Sequence, residues 1–307
     1  MTKIFVVGSY VQGLTIRVPR MPVLGENVVG DSFDMGPGGK GSNQAIAAAR
    51  LGADVRLLAC VGADIFGELA RQVYCDEGIA PDHIHSIAGV NSGVGFVNVL
   101  PDGENWITVD MGANMRLKPD HVEQCAAIIG DCDILMTQFE VPPETVAAAL
   151  SLGKAKGALT ILNPAPARRA DPKLLANTDI LTPNATEARI LLGLPADAAI
   201  DEEKLGRQLL ALGVGSVVIT QGERGALIIE DSGARQIPAL PIQAVDVTGA
   251  GDSFNAALAV SLGEGKDLDT AARVAVRAGA YTAMRPGVIA GLPTRTQLED
   301  FASDPRP

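Results

Sequence analysis

A chain of 307 residues, 47% hydrophobic and 20% charged, carries enough apolar material for one large domain or two smaller ones. Its formal net charge of −11 lacks the basic footprint that nucleic acid or an anionic membrane surface requires, so neither is expected as a partner. Aromatic residues make up only 4%, so the core must be built from Ala, Val, Ile and Leu, which suits a parallel sheet between helices.

Lys3 to Ser9 is a short apolar run that reads as a buried first strand, too short for a secretory signal. Leu14 to Arg20 and Asn27 to Asp34 alternate apolar and polar residues, as strands with one wet face do. The glycine-rich Gly36 to Gly41 opens a helix over Ser42 to Leu51, and Val55 to Val61 is the next strand. His83 and His85 could share one side of a strand, but with no third ligand in view a surface pair is the simpler reading. Gly93 to Leu100 and Asn105 to Met111 form a hairpin around Pro101-Asp102-Gly103, with Trp106 packing in it or in the core. Strands then alternate with helices: Ile134 to Phe139, Leu159 to Asn163, Ile180 to Pro183, Ser216 to Thr220 and Ala226 to Ile229. That alternation predicts an α/β fold with a mainly parallel sheet covered on both faces, while the early β pairs form a small separate sheet, a lid. Cys60, Cys75, Cys125 and Cys132 form no C-x-x-C pair and lie in apolar or helical stretches, as buried reduced thiols do. No segment approaches a membrane span, and a cytoplasmic protein is expected.

The strongest chemical signal is Asp246-Val247-Thr248-Gly249-Ala250-Gly251-Asp252-Ser253-Phe254, which follows a β-like stretch (Ile242 to Val245) and opens an Ala-rich helix. Glycines at a helix start expose N–H groups where the macrodipole is positive, which makes an anion hole. Asp252 lies in its first turn. A carboxylate beside a bound anion suits proton abstraction from an attacking hydroxyl, or it merely complements the dipole or caps the helix. A second glycine-rich turn, Gly38-Gly39-Lys40-Gly41-Ser42-Asn43-Gln44, places a cation and an amide in one helical turn, or simply starts a helix. It has no Walker A spacing. Gly8 to Gly13 has no dinucleotide fingerprint, which disfavours an NAD-dependent oxidoreductase.

Together with Thr137 to Glu140, Asn163 to Ala167, Thr182 to Glu187 and Thr220 to Gly222, these blocks resemble the ribokinase-like (PfkB) carbohydrate kinases over nearly the whole chain. The resemblance implies one three-layer α/β/α kinase domain over residues 1–307, with a β-sheet lid from about 12–36 and 90–112 that often forms a homodimer contact. It implies transfer of the γ-phosphoryl of ATP to a primary hydroxyl of a pentose or related sugar. Gly249, Ala250, Gly251 and Asp252 would form the anion hole and base. Gly39, Lys40, Asn43 and Glu140 would bind the sugar, as would positions 11 and 13. Asn184 and Glu187 would lie near Mg²⁺ and the phosphates, with Glu187 ordering metal-bound water. Thr220, Gly222 and Gly225 would form the nucleotide turn. Asp246 and the carbonyls of Thr248, Thr282, Arg285 and Gly287 could hold K⁺, although Gly291 stands where the family has a hydroxyl ligand. Read without the resemblance, Glu187 is an acidic residue favoured early in a helix and Glu140 a polar strand end.

The match breaks at the first strand's exit. The family places an Asn and an Asp there to grip sugar hydroxyls, and this chain has Val11 and Gly13. Losing those bonds, about 1.5–3 kcal/mol each, makes ribose a poor substrate unless Tyr10, Gln12 or Asp110 compensates. A kinase for another sugar, polyol or nucleoside of the family is the alternative, and few aromatics speak against a base-stacking pocket. A silent sugar- or nucleotide-binding homologue is disfavoured by the intact Gly249 to Asp252 set. Arg168 and Arg169 read as solvated charges.

Overall fold

The computed structural model describes residues 1–101 and 104–303. The strands in chain order are β1 (Lys3–Val7), β2 (Val11–Arg17), β3 (Ser32–Gly38), β4 (Asp54–Gly62), β5 (Ile84–Ile87), β6 (Gly93–Val99), β7 (Asn105–Asp110), β8 (Ile134–Gln138), β9 (Leu159–Asn163), β10 (Ile180–Leu181), β11 (Ser216–Thr220), β12 (Ala226–Glu230) and β13 (Gly233–Ile237). Nine of them form one sheet in the order β13-β12-β11-β10-β9-β8-β1-β4-β5. It is parallel from β5 to β11, and β12 and β13 run antiparallel at one edge.

Its central strands, such as β1, β4 and β8, are buried on both faces and are near-continuous apolar runs. Alternation along β1 sends Ile4 and Val6 into one core and Phe5 and Val7 into the other. The first core is closed by the Ala-rich helices Lys40–Arg50, Ala250–Gly263 and Leu268–Ala283, and the second by Pro143–Lys156, Ala185–Leu191 and Glu202–Leu210. Each fully buried Val, Leu or Ile contributes about 1.5–3 kcal/mol, which compensates for the scarcity of aromatics. One close approach fixes the site. A Cβ on Gly41 would lie 2.3 Å from the Ser9 nitrogen, so only glycine lets helix Lys40–Arg50 press its start against the end of β1.

The remaining strands form a second sheet in the order β3-β2-β6-β7, with β2 and β6 parallel and the outer pairs antiparallel. The sequence reading expected its first two strands three to five residues away from their observed starts. Gly36 and Gly38, taken for a helix-opening turn, pair within β3 against Gly13 and Val11. Residues 102 and 103 of the expected hairpin turn lie outside the described residues. Strands β5 and β13 went unforeseen, and 242–245 is irregular rather than a strand. Cys75 is exposed, against the expectation of burial, while Cys60 and Cys125 are buried. His83 ends a 3-10 turn against Phe5 rather than pairing with His85, whose ring lies 4.7 Å from that of His121. Among the described residues no helix is long and apolar enough to cross a membrane.

Candidate active site

The carboxyl ends of parallel strands converge on one edge of the large sheet, where open α/β folds place ligands. This edge carries Ser9 after β1, Gln138 and Glu140 at β8, Asn163 at the end of β9, Asn184 after β10 and Thr220 at the end of β11. Two helix starts, Lys40 and Ala250, point at it from the first core.

Gly249 caps helix Ala250–Gly263 at φ 81°, a left-handed conformation that glycine adopts without strain. A Cβ on Gly251 would meet nothing within 4 Å, so the helix start is open to a ligand. Ala250 donates its N–H to the Val247 carbonyl, while the Gly251 and Asp252 N–H groups, in the first turn, have no acceptor within the helix. Asp252 in this turn is only 6% exposed. Its two oxygens accept the side-chain amides of Asn43, at 2.8 Å, and Gln44, at 3.0 Å. Gln44 also donates to Asn163 Oδ1 and accepts from Gln138 Nε2. The network continues through Asn163 to the Thr182 carbonyl, from the Thr182 hydroxyl to Asn255 Oδ1, and from Asn255 Nδ2 to the Gly251 carbonyl. It therefore returns to the helix it started from and fixes the carboxylate's direction. Each carboxylate oxygen has capacity for a second hydrogen bond, so Asp252 can still receive a hydroxyl proton. Asn43 Oδ1 is buried with no protein partner, an acceptor left over beside it.

Glu140 ties the segment after β1 to the start of helix Lys40–Arg50. One of its oxygens accepts the Ser9 hydroxyl at 2.5 Å and the Lys40 backbone N–H at 2.7 Å. Burial pushes the Glu140 carboxyl above its ordinary range, despite those two donors and the Lys40 charge. Burial works against the Lys40 ammonium too, yet the fields of Asp252, Glu140 and Glu187 outweigh it and its pKa is raised. Lys40 thus stays a charged ammonium under the fields of three carboxylates. Gly39, at φ 90°, caps its helix.

Asn184 and Glu187 form a reciprocal capping box at the start of helix Ala185–Leu191, each side chain accepting the other's backbone N–H at 2.8 Å. Burial raises the Glu187 pKa, the Asn184 N–H and Lys40 lower it, and Asp252 raises it. Thr220 bridges to Asn184, and its N–H reaches the Pro183 carbonyl. Gly222 and Gly225 both have positive φ, and a Cβ on Gly225 would lie 2.1 Å from the Ile237 carbonyl, so the turn after β11 admits only glycine there.

Asp246 joins its own loop to the segment after helix Leu268–Ala283, accepting N–H groups of Thr248 and Gly287. Burial alone would raise its pKa, but these donors outweigh it and hold the carboxyl below the usual range. The Thr282 carbonyl already accepts Arg285 N–H, and the Gly287 carbonyl accepts Gly291 N–H. Val11 and Gly13 lie on β2, paired with Gly38 and Gly36. Arg168 is not simply solvated: its guanidinium sits 4.4 Å over the Phe139 ring.

Asp252 and its neighbours stand out in the motif blocks, whereas their supports do not. Ser9, Gln44, Gln138 and Asn163 stand inside or beside the motif blocks, and only three-dimensional pairing shows what they hold. Asn255 carries a signal of its own, a polar residue inside an alanine-rich helix, four positions after Gly251.

Residues 1–295 match the model of the pfkB family of carbohydrate kinases. A ribokinase from Haemophilus influenzae is 36% identical over 296 residues, covering 96% of this chain and 97% of the relative. A deoxyribokinase from Salmonella typhi is 34% identical over 301 residues, 98% of each chain. The structure of Arabidopsis thaliana ribokinase complexed with ribose and ATP superposes with a TM-score of 0.90 at 29% identity, over 98% of each chain. A large, mainly parallel α/β sheet with a small separate sheet, together with these matches, defines the class. The chain belongs to the PfkB family of carbohydrate kinases.

Proposed function

We propose that this chain transfers the γ-phosphoryl group of ATP to a primary hydroxyl of a pentose or related sugar. The observation that carries this reading is Asp252, a buried carboxylate held by two amides inside an open helix N-terminus. Asp252 orients the acceptor hydroxyl and takes its proton as the O–P bond forms, which suits a loose transition state with little covalent work for the protein. Gly249 and Gly251 turn N–H groups toward the developing phosphate charge, Ala250 holds the loop through its N–H on the Val247 carbonyl, and Lys40 adds a cation. Gly39, Asn43 and Glu140 hold the sugar, and Thr220, Gly222 and Gly225 hold the nucleotide.

No group of three His, Cys, Asp or Glu residues able to hold a metal occurs among the described residues. Glu187 commits one oxygen to the Asn184 N–H, and its other can order water. That donor set fits Mg²⁺ arriving with the nucleotide and keeping most of its water, and it suits no all-protein cage. When bound, Mg²⁺ neutralises phosphate charge. Asp246, with the carbonyls of Thr248, Thr282, Arg285 and Gly287, provides a place for K⁺ beside the anion-hole loop. The four-stranded sheet acts as a lid over the site and as the contact of a homodimer. A coupled assay for ADP release over pentoses, hexoses, polyols and nucleosides tests the reading. Mg²⁺-dependent turnover on a sugar supports it, and turnover on none, with the protein folded, rejects it.

A further inference from the structure

Side chains alternate along a strand and paired residues share a face, so the four-stranded sheet has two unlike surfaces. One carries Leu14, Ile16, Phe33, Met35, Phe96 and Trp106. On the other, the two cross-strand rows nearest Gly39 and Lys40 read Gly38–Val11–Gly93 and Gly36–Gly13–Gly95–Val109. These rows contain no hydroxyl, amide or charged side chain. A Cβ on Gly36 would meet nothing within 4 Å, and one on Gly95 would touch only Val11 and Val109. The floor beside the catalytic edge is therefore open backbone with two valines on it.

The polar residues that could compensate are committed elsewhere. The buried Tyr10 hydroxyl donates to Gln12 Oε1 at 2.6 Å, and the Gln12 amide donates to the Gly36 carbonyl at 2.9 Å. Gln12 and Asp110 both belong to the opposite surface, and Asp110 accepts the Gly112 N–H. Asn114 accepts the Tyr10 N–H and donates to the Tyr10 and Met111 carbonyls. The first polar side chains on the floor, Thr15 and Asp34, pair one row further out, about 7 Å along the strands.

Resting on the kinase reading, we infer that the acceptor turns a deoxygenated or alkyl edge toward Val11, Gly13 and Val109. The substrate class is a deoxy sugar rather than a fully hydroxylated pentose. A hydroxyl closed against this floor loses its water and gains no partner, whereas a methylene loses nothing.

Initial-rate kinetics with ATP and Mg²⁺ on ribose, 2-deoxyribose and 3-deoxyribose test this. A deoxy sugar should exceed ribose in kcat/KM by about ten- to a hundredfold, the range an apolar pocket achieves against an added hydroxyl. Ribose matching or beating both deoxy sugars overturns the inference and leaves the kinase reading standing. Absence of ADP release with every acceptor of the wider panel overturns both. Val11→Asn combined with Gly13→Asp puts polar groups on the floor and should narrow the preference by about tenfold. A Cβ at position 13 would lie 3.3 Å from the Gly36 carbonyl, so Val11→Ser serves where the double variant fails to fold. A preference unchanged in the folded variant rules the floor out as its determinant.

Discussion

The two sheets meet where Ser9 and Tyr10 leave β1 and where Gly38 and Gly39 leave β3, yet they are finished in opposite ways. At the large sheet's carboxyl edge polar side chains are tied into one network, from Asp252 through Gln44, Asn163 and Thr182 to Asn255. On the small sheet the inner floor is bare glycine and valine, and the outer surface leaves Phe33, Met35, Phe96 and Trp106 between 51% and 63% exposed. A chemical step needs groups preorganised on a rigid scaffold. Selectivity and association instead need surface still available to a ligand or a second chain. On the proposed reading, the division puts the proton acceptor on the thick layered body and a floor for the acceptor sugar on the thin one.

The largest expected effect comes from breaking the rigid side. Asp252→Asn preserves shape but removes the proton acceptor, and kcat should fall by about 10²–10⁴. ATP affinity should hold or improve, because a negative charge near the phosphates is gone. Steady-state kinetics on the best acceptor, with ATP binding followed by calorimetry, checks both. A kcat within a few-fold of the parent would make the carboxylate structural.

How far this contrast could be read in the sequence follows from the same physics. Fold class was legible because β8, β9 and β11 are short, largely apolar runs set between helical patterns, and both of their faces are buried. Asp252, Lys40 and Glu140 were legible as parts of glycine-rich turns and motif blocks. The small sheet's boundaries were not, because Gly36 and Gly38 carry a turn signal in sequence and serve as strand residues in space. Nor could sequence place Gln12 or Asp110, since only the register decides which surface each takes. Glu187 shows a third outcome. Its capping box satisfies the local helix-start reading, and the mutual influence of Lys40, Asp252 and Glu187 adds an electrostatic environment that no local pattern contains.

Glu187 gives the intermediate effect. Glutamine can still accept the Asn184 N–H, so Glu187→Gln should keep the capping box and the fold. It removes the charge proposed to order metal-bound water, and apparent Mg²⁺ affinity should drop about tenfold, with sugar binding nearly unchanged. Burial raises the Glu187 pKa, so its ionised form dominates above that raised value and is lost as pH falls through it. In the parent, the Mg²⁺ requirement should therefore climb at a higher pH than an ordinary glutamate would dictate. In Glu187→Gln the component due to this group is absent. Equal Mg²⁺ titrations of both proteins across that pH range would count against the role.

The smallest effect on turnover is expected from the small sheet's outer surface, where the change is in assembly. Phe33 and Trp106 lie on the same surface, in one cross-strand row with Ile16 and Asn98 between them. At 62% and 63% exposed they are the most open of its large apolar side chains, and contiguous exposed patches of this kind mark association surfaces. The pattern is self-complementary in character, apolar against apolar, as a two-fold contact between identical sheets requires. Phe33→Ser combined with Trp106→Ser removes the aromatic anchors without entering either core of the large sheet. Light scattering after gel filtration should give twice the chain mass for the parent and a single chain mass for the variant. Because Asp252 and its amide network belong to the other sheet, kcat should stay within a few-fold at saturating acceptor, with any loss appearing mainly in KM. A variant with the parent's mass would remove this surface as the contact. A collapse of kcat together with monomer formation would show that the thin sheet helps hold the catalytic edge in place, and the division drawn between the two regions would fail.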